Sequence, residues 1–512
     1  MRRIGKILMS RLAVFGIVVF IELLLVMTLL VRLSAFSVYF LFFLLTLNFL
    51  SVVAVVNSDG NPEYKLTWIG VIIFIPYLGT ALYFLYGSGS LSRREEKIIK
   101  EVRGKIKSAR GKTNAFDKLG EKSAAASGKA LAIVGADTTA AVYINTSAKY
   151  YSSGKEMYSD MRCDLLKAQK YVFLEYFIIE RGTMWQGIFE ILKQKVNEGV
   201  EVRIIYDDVG CMTTLPLGFY KELSSAGIKA VRFSKISPSL RYMRRNNSRD
   251  HRKILVIDGK VAYTGGINIG DEYIGLNNRL GVWRDSGVRI SGRAAEGFAS
   301  LFLEMWCIST GRVECIQNYF GGEDSTVRDN GYYLPFGSGP NPFYKSNASK
   351  RAILDIVNSS QRYVYIFTPY LIIDFDLTES LLGAVLRGAD VRIITPGVPD
   401  KPLIRLLTRG SYQCLLSGGV KIYEYSPGFL HAKGMVSDDT YAIVGTINLD
   451  YRSLVHHYEN AVWTCFSNIA KDVRDDFLSV MRDSVRITSE SIKTGPVLKI
   501  LRSVIRLFAP LL

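Results

Sequence analysis

The sequence predicts an α/β protein in which two homologous α/β domains share one active-site cleft behind N-terminal transmembrane helices. Three observations carry this expectation. The pattern H-x-K-x4-D occurs twice, at His251, Lys253, Asp258 and at His431, Lys433, Asp438, in a chain of only four histidines. Three strand-like segments recur in the same order ahead of each copy. Three long apolar runs lie within the first 86 residues.

The apolar runs come first in the chain. Residues 12–31, 35–56 and 66–86 each approach the ~20 residues that a helix needs to cross a bilayer. Glu22 is the one carboxylate in the first run, and Pro76 lies in the third, where a membrane helix tolerates it. A cleaved signal peptide would not be followed by further spans. Residues 1–87 therefore read as a membrane anchor of three spans, with two as the alternative. Residues 88–130 read as a basic linker. Within it, residues 93–129 hold twelve Lys/Arg against five Asp/Glu, which places the segment on the cytoplasmic side. Arg2, Arg3, Lys6 and Arg11 favour a cytoplasmic N-terminus as well, which an odd number of spans forbids; the larger and closer charge block decides, with an interfacial or re-entrant first run as the alternative.

The net charge of +17 calls for anionic partners, nucleic acid or acidic lipid. The apolar runs select lipid, so the expected partners are anionic membrane lipids and no nucleic acid. Six cysteines without C-x-x-C spacing read as free thiols, neither a disulfide frame nor a zinc site. No metal-ligand cluster is visible, and no cofactor is expected.

From residue 131 onward, strand and helix patterns alternate. Y-V-F-L-E-Y-F-I-I at 171–179 parallels Y-V-Y-I-F-T-P-Y-L at 363–371. G-V-E-V-R-I-I-Y at 199–206 parallels G-A-D-V-R-I-I-T at 388–395, and A-G-I-K-A-V-R-F at 226–233 parallels G-G-V-K-I-Y-E-Y at 418–425. The expected domains are 131–325 and 326–490, divided in the Gly/Pro/Asn-rich stretch 321–342.

The motif closes each half. Apolar, β-branched residues follow each histidine, so a buried strand begins there. Side chains two apart share a face, which sends His and Lys the same way. The Asp, seven residues after the His, falls on the opposite face, and Asp258-Gly259 is a hairpin-turn signal. Strand geometry thus makes Asp258 and Asp438 turn-fixing residues. A neutral imidazole can attack an electrophile and an imidazolium can protonate a leaving group. Two histidines in one site can do both, and a lysine beside each points to an anionic electrophile such as a phosphate. The alternative, two hydrogen-bonded core histidines, does not explain the doubling.

The doubled motif, each copy followed by Gly and Asn, resembles the phospholipase D superfamily. G-G-I-N-I-G-D-E-Y at 265–273, W-R-D at 283–285, T-P-Y at 368–370, G-T-I-N-L-D-Y-R-S at 445–453 and N-P-E-Y-K-L-T-W at 61–68 are similar to signatures of its bacterial cardiolipin synthases. The resemblance covers nearly the whole chain from about residue 57. It implies a membrane phosphatidyltransferase that joins two phosphatidylglycerols into cardiolipin, releases glycerol and passes through a phosphatidyl-histidine. It counts His251, Lys253, Asp258, His431, Lys433 and Asp438 as catalytic, with His251 as nucleophile and His431 as acid/base. Asn268 and Asn448 would hold the phosphate. Asp285, 34 residues after His251, and Glu459, 28 after His431, would orient the imidazoles. Asp250, Ser286-Gly287 and His456-His457-Tyr458 depart from the family's usual residues. His456 and His457 read as loop or wall residues, with tuning of the site as the alternative. A hydrolase or headgroup-exchange enzyme, and a silent lipid-binding scaffold, remain alternatives on the same scaffold. Acceptor lipid and oligomeric state are not readable.

Residues 491–512 end the chain. Val497, Leu498, Ile500, Leu501, Val504, Ile505 and Phe508 form one helical face, with Lys499, Arg502, Ser503 and Arg506 on the other. That pattern suits an interfacial helix on anionic lipid, or a helix packed on the catalytic domain.

Overall fold

Segments rich in β-branched and aromatic residues form the strands, and the repeat seen in the sequence becomes a repeat of topology. The computed structural model describes residues 38–87, 92–110, 114–235, 247–321, 329–344, 346–493 and 495–511, with scattered positions between 20 and 32. One sheet has the order β1 (Thr146–Tyr151), β7 (Gly287–Gly292), β6 (Val261–Gly265), β5 (Lys253–Ile257), β2 (Tyr171–Tyr176), β3 (Glu201–Asp207), β4 (Lys229–Phe233). The other has the order β17 (Ser484–Arg486), β12 (Lys421–Tyr425), β11 (Asp390–Pro396), β9 (Tyr363–Phe367), β13 (Gly434–Ser437), β14 (Tyr441–Gly445), β16 (Glu459–Cys465), β8 (Tyr332–Ser338). Read from β1 and from β8, the two orders match strand for strand, and β17 is an added edge. The three sequence parallels fall on β2 and β9, β3 and β11, β4 and β12.

The halves are not separate bodies. Helix Ala295–Thr310 is mostly apolar and buried almost throughout, its two buried glutamates, Glu296 and Glu304, being paired with Arg293 and Arg103, and it packs on β2, β4 and β5 of one sheet and β8 of the other. One core cluster draws Phe173, Phe298 and Phe302 from the first half and Phe367, Val462 and Phe477 from the second.

The stretch read as a basic linker is largely helical and contributes to both cores. Helix Arg93–Arg110 buries Ile98, Ile99, Val102 and Ile106 and packs on Ala295–Thr310. Helices Ala115–Lys122 and Ala124–Ala136 instead join the second half's core, through Leu119, Ala130 and Ile133. A domain start at 131 therefore falls inside a helix, and the expected division at 325/326 lies outside the described residues.

Of the three expected spans, the second is the helix Val38–Asn57, 20 residues long. Among the described residues it is the one helix long and apolar enough to cross a membrane. The third run is not continuous. Helix Pro62–Phe74 ends before Pro76, which lacks an N–H and crowds the preceding turn; Tyr77 takes φ 70°, and a short helix Leu78–Leu82 resumes. Thirteen residues of helix reach about 20 Å, short of a ~30 Å hydrocarbon core. The first run, with Glu22 and the basic residues before it, lies for the most part outside the described residues. At the other end, helix Pro496–Leu507 buries no residue, whereas Ala509 and Pro510 beyond it are buried.

Candidate active site

Each motif strand begins shortly after its histidine, β5 two residues after His251 and β13 three after His431, so the two strands deliver the histidines to the seam between the sheets. Backbone hydrogen bonds across the seam hold both in place. The His251 N–H donates to the Tyr458 carbonyl at 2.9 Å, and the His431 N–H donates to the Arg284 carbonyl at 2.7 Å. The next residue in each case is a buried acid. His251 Nδ1 lies 3.0 Å from both carboxylate oxygens of Glu459, and His431 Nδ1 lies 2.7 Å from Asp285 Oδ2. The pairing is therefore crossed: each imidazole meets the acid of the opposite half, whereas sequence order had set each acid after the histidine of its own half. The reason is the same pair of backbone bridges, which bring residues 458–459 to the first motif and 284–285 to the second.

Both acids are themselves held. Ser453 Oγ donates to Glu459 at 2.7 Å and Thr446 Oγ1 donates to its other oxygen. The Ser286 N–H donates to Asp285 at 2.8 Å. Gly266 lies against the same carboxylate so closely that a Cβ there would stand 2.0 Å from Asp285 Oδ1. With Nδ1 committed to a carboxylate, Nε2 is the ring atom each histidine has left for chemistry.

The lysines stand behind the histidines. Lys253 Nζ donates to the His251 carbonyl at 2.9 Å and Lys433 Nζ to the His431 carbonyl at 2.5 Å. Both are buried. Asn460 Oδ1 and Ser286 Oγ accept the Lys253 and Lys433 N–H groups at 3.2 Å, again from the opposite half. Asn268 and Asn448 line the cavity in front. The Asn268 amide is engaged, accepting from the Ile178 N–H at 3.2 Å and donating to Tyr273 Oη at 2.6 Å, whereas Asn448 Oδ1 has no partner.

Asp258 and Asp438, counted as catalytic by the motif, sit at the far ends of β5 and β13. Each takes a left-handed φ, 54° and 55°. The Asp258 carboxylate accepts the N–H groups of Gln169, Lys170 and Tyr171 at 2.7–2.9 Å, and that of Asp438 accepts those of Gln361, Arg362 and Tyr363 at 2.9 Å. They tie the hairpin turn to the start of the neighbouring strand and do not face the imidazoles.

The cavity over the histidines holds about 980 Å³. Phe177 and His457 flank His251, with ring centroids at 5.0 and 5.6 Å; Tyr273, Trp283 and Phe429 surround His431 at 5.4–5.7 Å. His457 is a wall residue whose two ring nitrogens have no hydrogen-bond partner among the described residues, Nδ1 standing 3.9 Å from Glu459 Oε1, and His456 faces the C-terminal turn instead. Asp250 is buried beneath the site and does not line it. His251, His457 and Glu459 bring ligand-capable atoms within 4.8 Å of one another, a grouping the sequence did not reveal. Glu459 is already committed to three donors there, and two lysines oppose a cation.

Burial dominates the electrostatics. It holds His251 well below the usual imidazole range, helped by Lys253, and lowers His431 to about 4, helped by Lys433 and opposed by Asp285. Both rings are neutral near pH 7, as a nucleophile requires. Burial pushes Glu459 up to about 8 against the pull of Thr446, Lys253 and Ser453. Burial and Lys433 lower Lys253 to about 7, and burial lowers Lys433 to about 8 against Asp285. These lysines lose their charge as pH rises through 7–8, whereas an ordinary lysine keeps it to ~10. For an anionic phosphodiester, kcat/KM should therefore fall above about pH 8. A profile flat to pH 9.5 on vesicles of fixed composition would remove the lysines from substrate capture.

Two buried imidazole–carboxylate pairs lining one cavity are what the doubled motif implies, and comparison with known proteins agrees. A family model described as "Cardiolipin synthase, PLD-like domain" matches residues 161–306 and 353–481. The chain belongs to this phospholipase D-like cardiolipin synthase family. A second model, "Phospholipase_D-nuclease N-terminal", matches residues 46–87. The chain is 31% identical to a cardiolipin synthase of Halalkalibacterium halodurans over 91% of its length and 92% of the relative's. It is 32% identical to one of Geobacillus sp. (strain WCH70), over 89% and 90%. It is also 41% identical to an uncharacterized Streptococcus mutans protein, over 90% and 99%. A phosphatidylserine synthase from Haemophilus influenzae shares the fold at 14% identity, with a TM-score of 0.54 over 71% of this chain and 95% of that one.

Thr446, Ser453, Ser286 and Asn460 were not assigned roles from the sequence. Thr446 and Ser453 lie in G-T-I-N-L-D-Y-R-S, and Ser286 and Asn460 each follow an orienting acid, so position beside a motif was their only signal.

Proposed function

We propose that this protein is a cardiolipin synthase that transfers a phosphatidyl group from one phosphatidylglycerol to another. The observation that carries the reading is the crossed pair of buried imidazole–carboxylate contacts behind one cavity. In the first step His431, neutral before substrate arrives, takes up a proton beside Asp285 as the anionic phosphodiester binds; His251 Nε2 then attacks phosphorus, the bond to the glycerol oxygen breaks, and the His431 imidazolium gives that proton to the departing oxygen. Glycerol leaves and a phosphatidyl-histidine remains. In the second step His431 takes the proton of a second phosphatidylglycerol's hydroxyl, whose oxygen displaces His251. Lys253 and Lys433 stabilise the charge that builds on the phosphate oxygens, and Asn448 is placed to join them. Glu459 and Asp285 orient the rings and stabilise their cations.

The anchor within residues 1–87 and the C-terminal helix would hold the two catalytic halves against the cytoplasmic face of the cell membrane as a multi-pass protein. The large basic block after the anchor supports that side. Chemistry up to the intermediate is shared with hydrolysis, so product decides. Purified protein in phosphatidylglycerol vesicles should yield cardiolipin and glycerol without nucleotide. Phosphatidic acid as the dominant product across detergents and lipid densities would make it a hydrolase.

A further inference from the structure

Beyond the histidines and their aromatic neighbours, the cavity has an apolar margin. There it is bounded by Ile372, Ile404, Tyr451 and Ala509. These side chains form one packed cluster with Leu407, Val455 and Ile505. Ala509, only 4% exposed, belongs to the C-terminal turn Ala509–Leu511, so the end of the chain is a wall of the reaction cavity.

That turn is seated from two sides. His456 Nε2 donates to the Pro510 carbonyl at 2.9 Å, and the Tyr64 ring packs against His456 at a 60° tilt with centroids 4.8 Å apart. Thr67 Oγ1 donates to the Leu507 carbonyl at 3.1 Å, and Leu511 packs on Val55, Trp68, Ile72 and Tyr83 of the anchor. The outer side of the same segment is open. Helix Pro496–Leu507 exposes Val497 at 79% and Leu507 at 69%, and it carries Lys499, Arg502 and Arg506. An apolar path thus runs from the cavity margin, past Ala509, to an apolar helix face with basic residues beside it.

A phospholipid whose phosphate reaches the imidazoles must lead its acyl chains out of the cavity over apolar surface, since crossing charged groups would expose the chains to water and strip those groups of it. We propose that Ile372, Ile404, Tyr451 and Ala509 are the acyl-glycerol subsite, which holds the apolar part of the phosphatidyl donor and leads its chains out along helix Pro496–Leu507. The subsite rests on the phosphatidyl-transfer reading. The occupant is an anionic phospholipid and not a protein segment, because the path begins at the histidines and ends beside cations that complement an anionic lipid surface.

The test uses full-length protein and measures glycerol release from dioleoyl- and dihexanoyl-phosphatidylglycerol in mixed micelles. Ala509→Trp narrows the path. It should lower kcat/KM for the long-chain lipid at least tenfold and for the short-chain lipid much less, shifting their ratio at least fivefold. Equal losses on both lipids, or no loss on either, would overturn the subsite. A second measurement needs no variant: phosphatidylglycerol with a diazirine beside the acyl carbonyl should crosslink to residues 372, 404, 451 or 505–511. Crosslinks confined to other surfaces would overturn the subsite even if Ala509→Trp failed to fold. Wild-type protein that releases no glycerol from either lipid would instead overturn the transfer reading, and the crosslinks would still decide the subsite.

Discussion

Replacing Glu459 with Gln, or Asp285 with Asn, is expected to lower turnover by up to ~10⁴-fold while the protein stays folded. Either change keeps the shape of the side chain and removes a carboxyl group that can hold or share a proton with the ring as the ring becomes an imidazolium. It also puts an NH2 group among donors, which disturbs the ring's tautomer. The crossed contacts make the two losses different in kind. Asp285 serves His431, the proposed proton donor, so a phosphatidyl donor with p-nitrophenol in place of glycerol should largely restore the first step in Asp285→Asn. That leaving group departs without a proton. Glu459 serves His251, the proposed nucleophile, and the same donor should not rescue Glu459→Gln. Rescue of Glu459→Gln alone would exchange the roles of the two histidines. Equal behaviour of the two variants would mean that neither acid acts through a single ring.

Replacing Asp258 or Asp438 with Ala should act on stability and not on chemistry. Each carboxylate gathers three backbone N–H groups and permits a left-handed φ at the turn. Losing three such bonds should cost about 2–3 kcal/mol, seen as a lower melting temperature and poorer expression. Asn at either position keeps the turn conformation and one acceptor, so it should cost less. Turnover per folded molecule should change by no more than a few fold. A stable, inactive Asp258→Ala would restore the motif's third letter to the catalytic set.

What could be read ahead of the structure follows from local geometry. The apolar run after each histidine and the Asp258-Gly259 turn signal are enough to put a strand there and the motif Asp at its far end, although the histidines themselves precede their strands, and the repeat needed only three matching segments in order. The acid–imidazole pairing was not legible, because nothing in a linear chain says that β16 follows β14 in one sheet while its first acid reaches the other half's motif. The helices that begin within 88–130, the stretch expected to be a basic linker, were hidden for a different reason. Their net charge suggested a linker, although Ile98, Ile99, Val102 and Ile106 recur at helical spacing and are all buried. Pro76 interrupts the helix of the third run, and composition alone does not say where such an interruption falls.

The crossing has a consequence for any attempt to divide the protein. A fragment ending before β8 would keep His251 but lack Glu459, and the complementary fragment would keep His431 but lack Asp285. Each piece would carry a complete motif and be inert by itself. Activity would return only on reassociation, with a dependence on the concentrations of both pieces. The same geometry means that a duplicated ancestor with a single motif would have needed a twin to complete either ring–acid pair. Joining two copies in one polypeptide made that encounter intramolecular and left each half free to change only where its counterpart allowed.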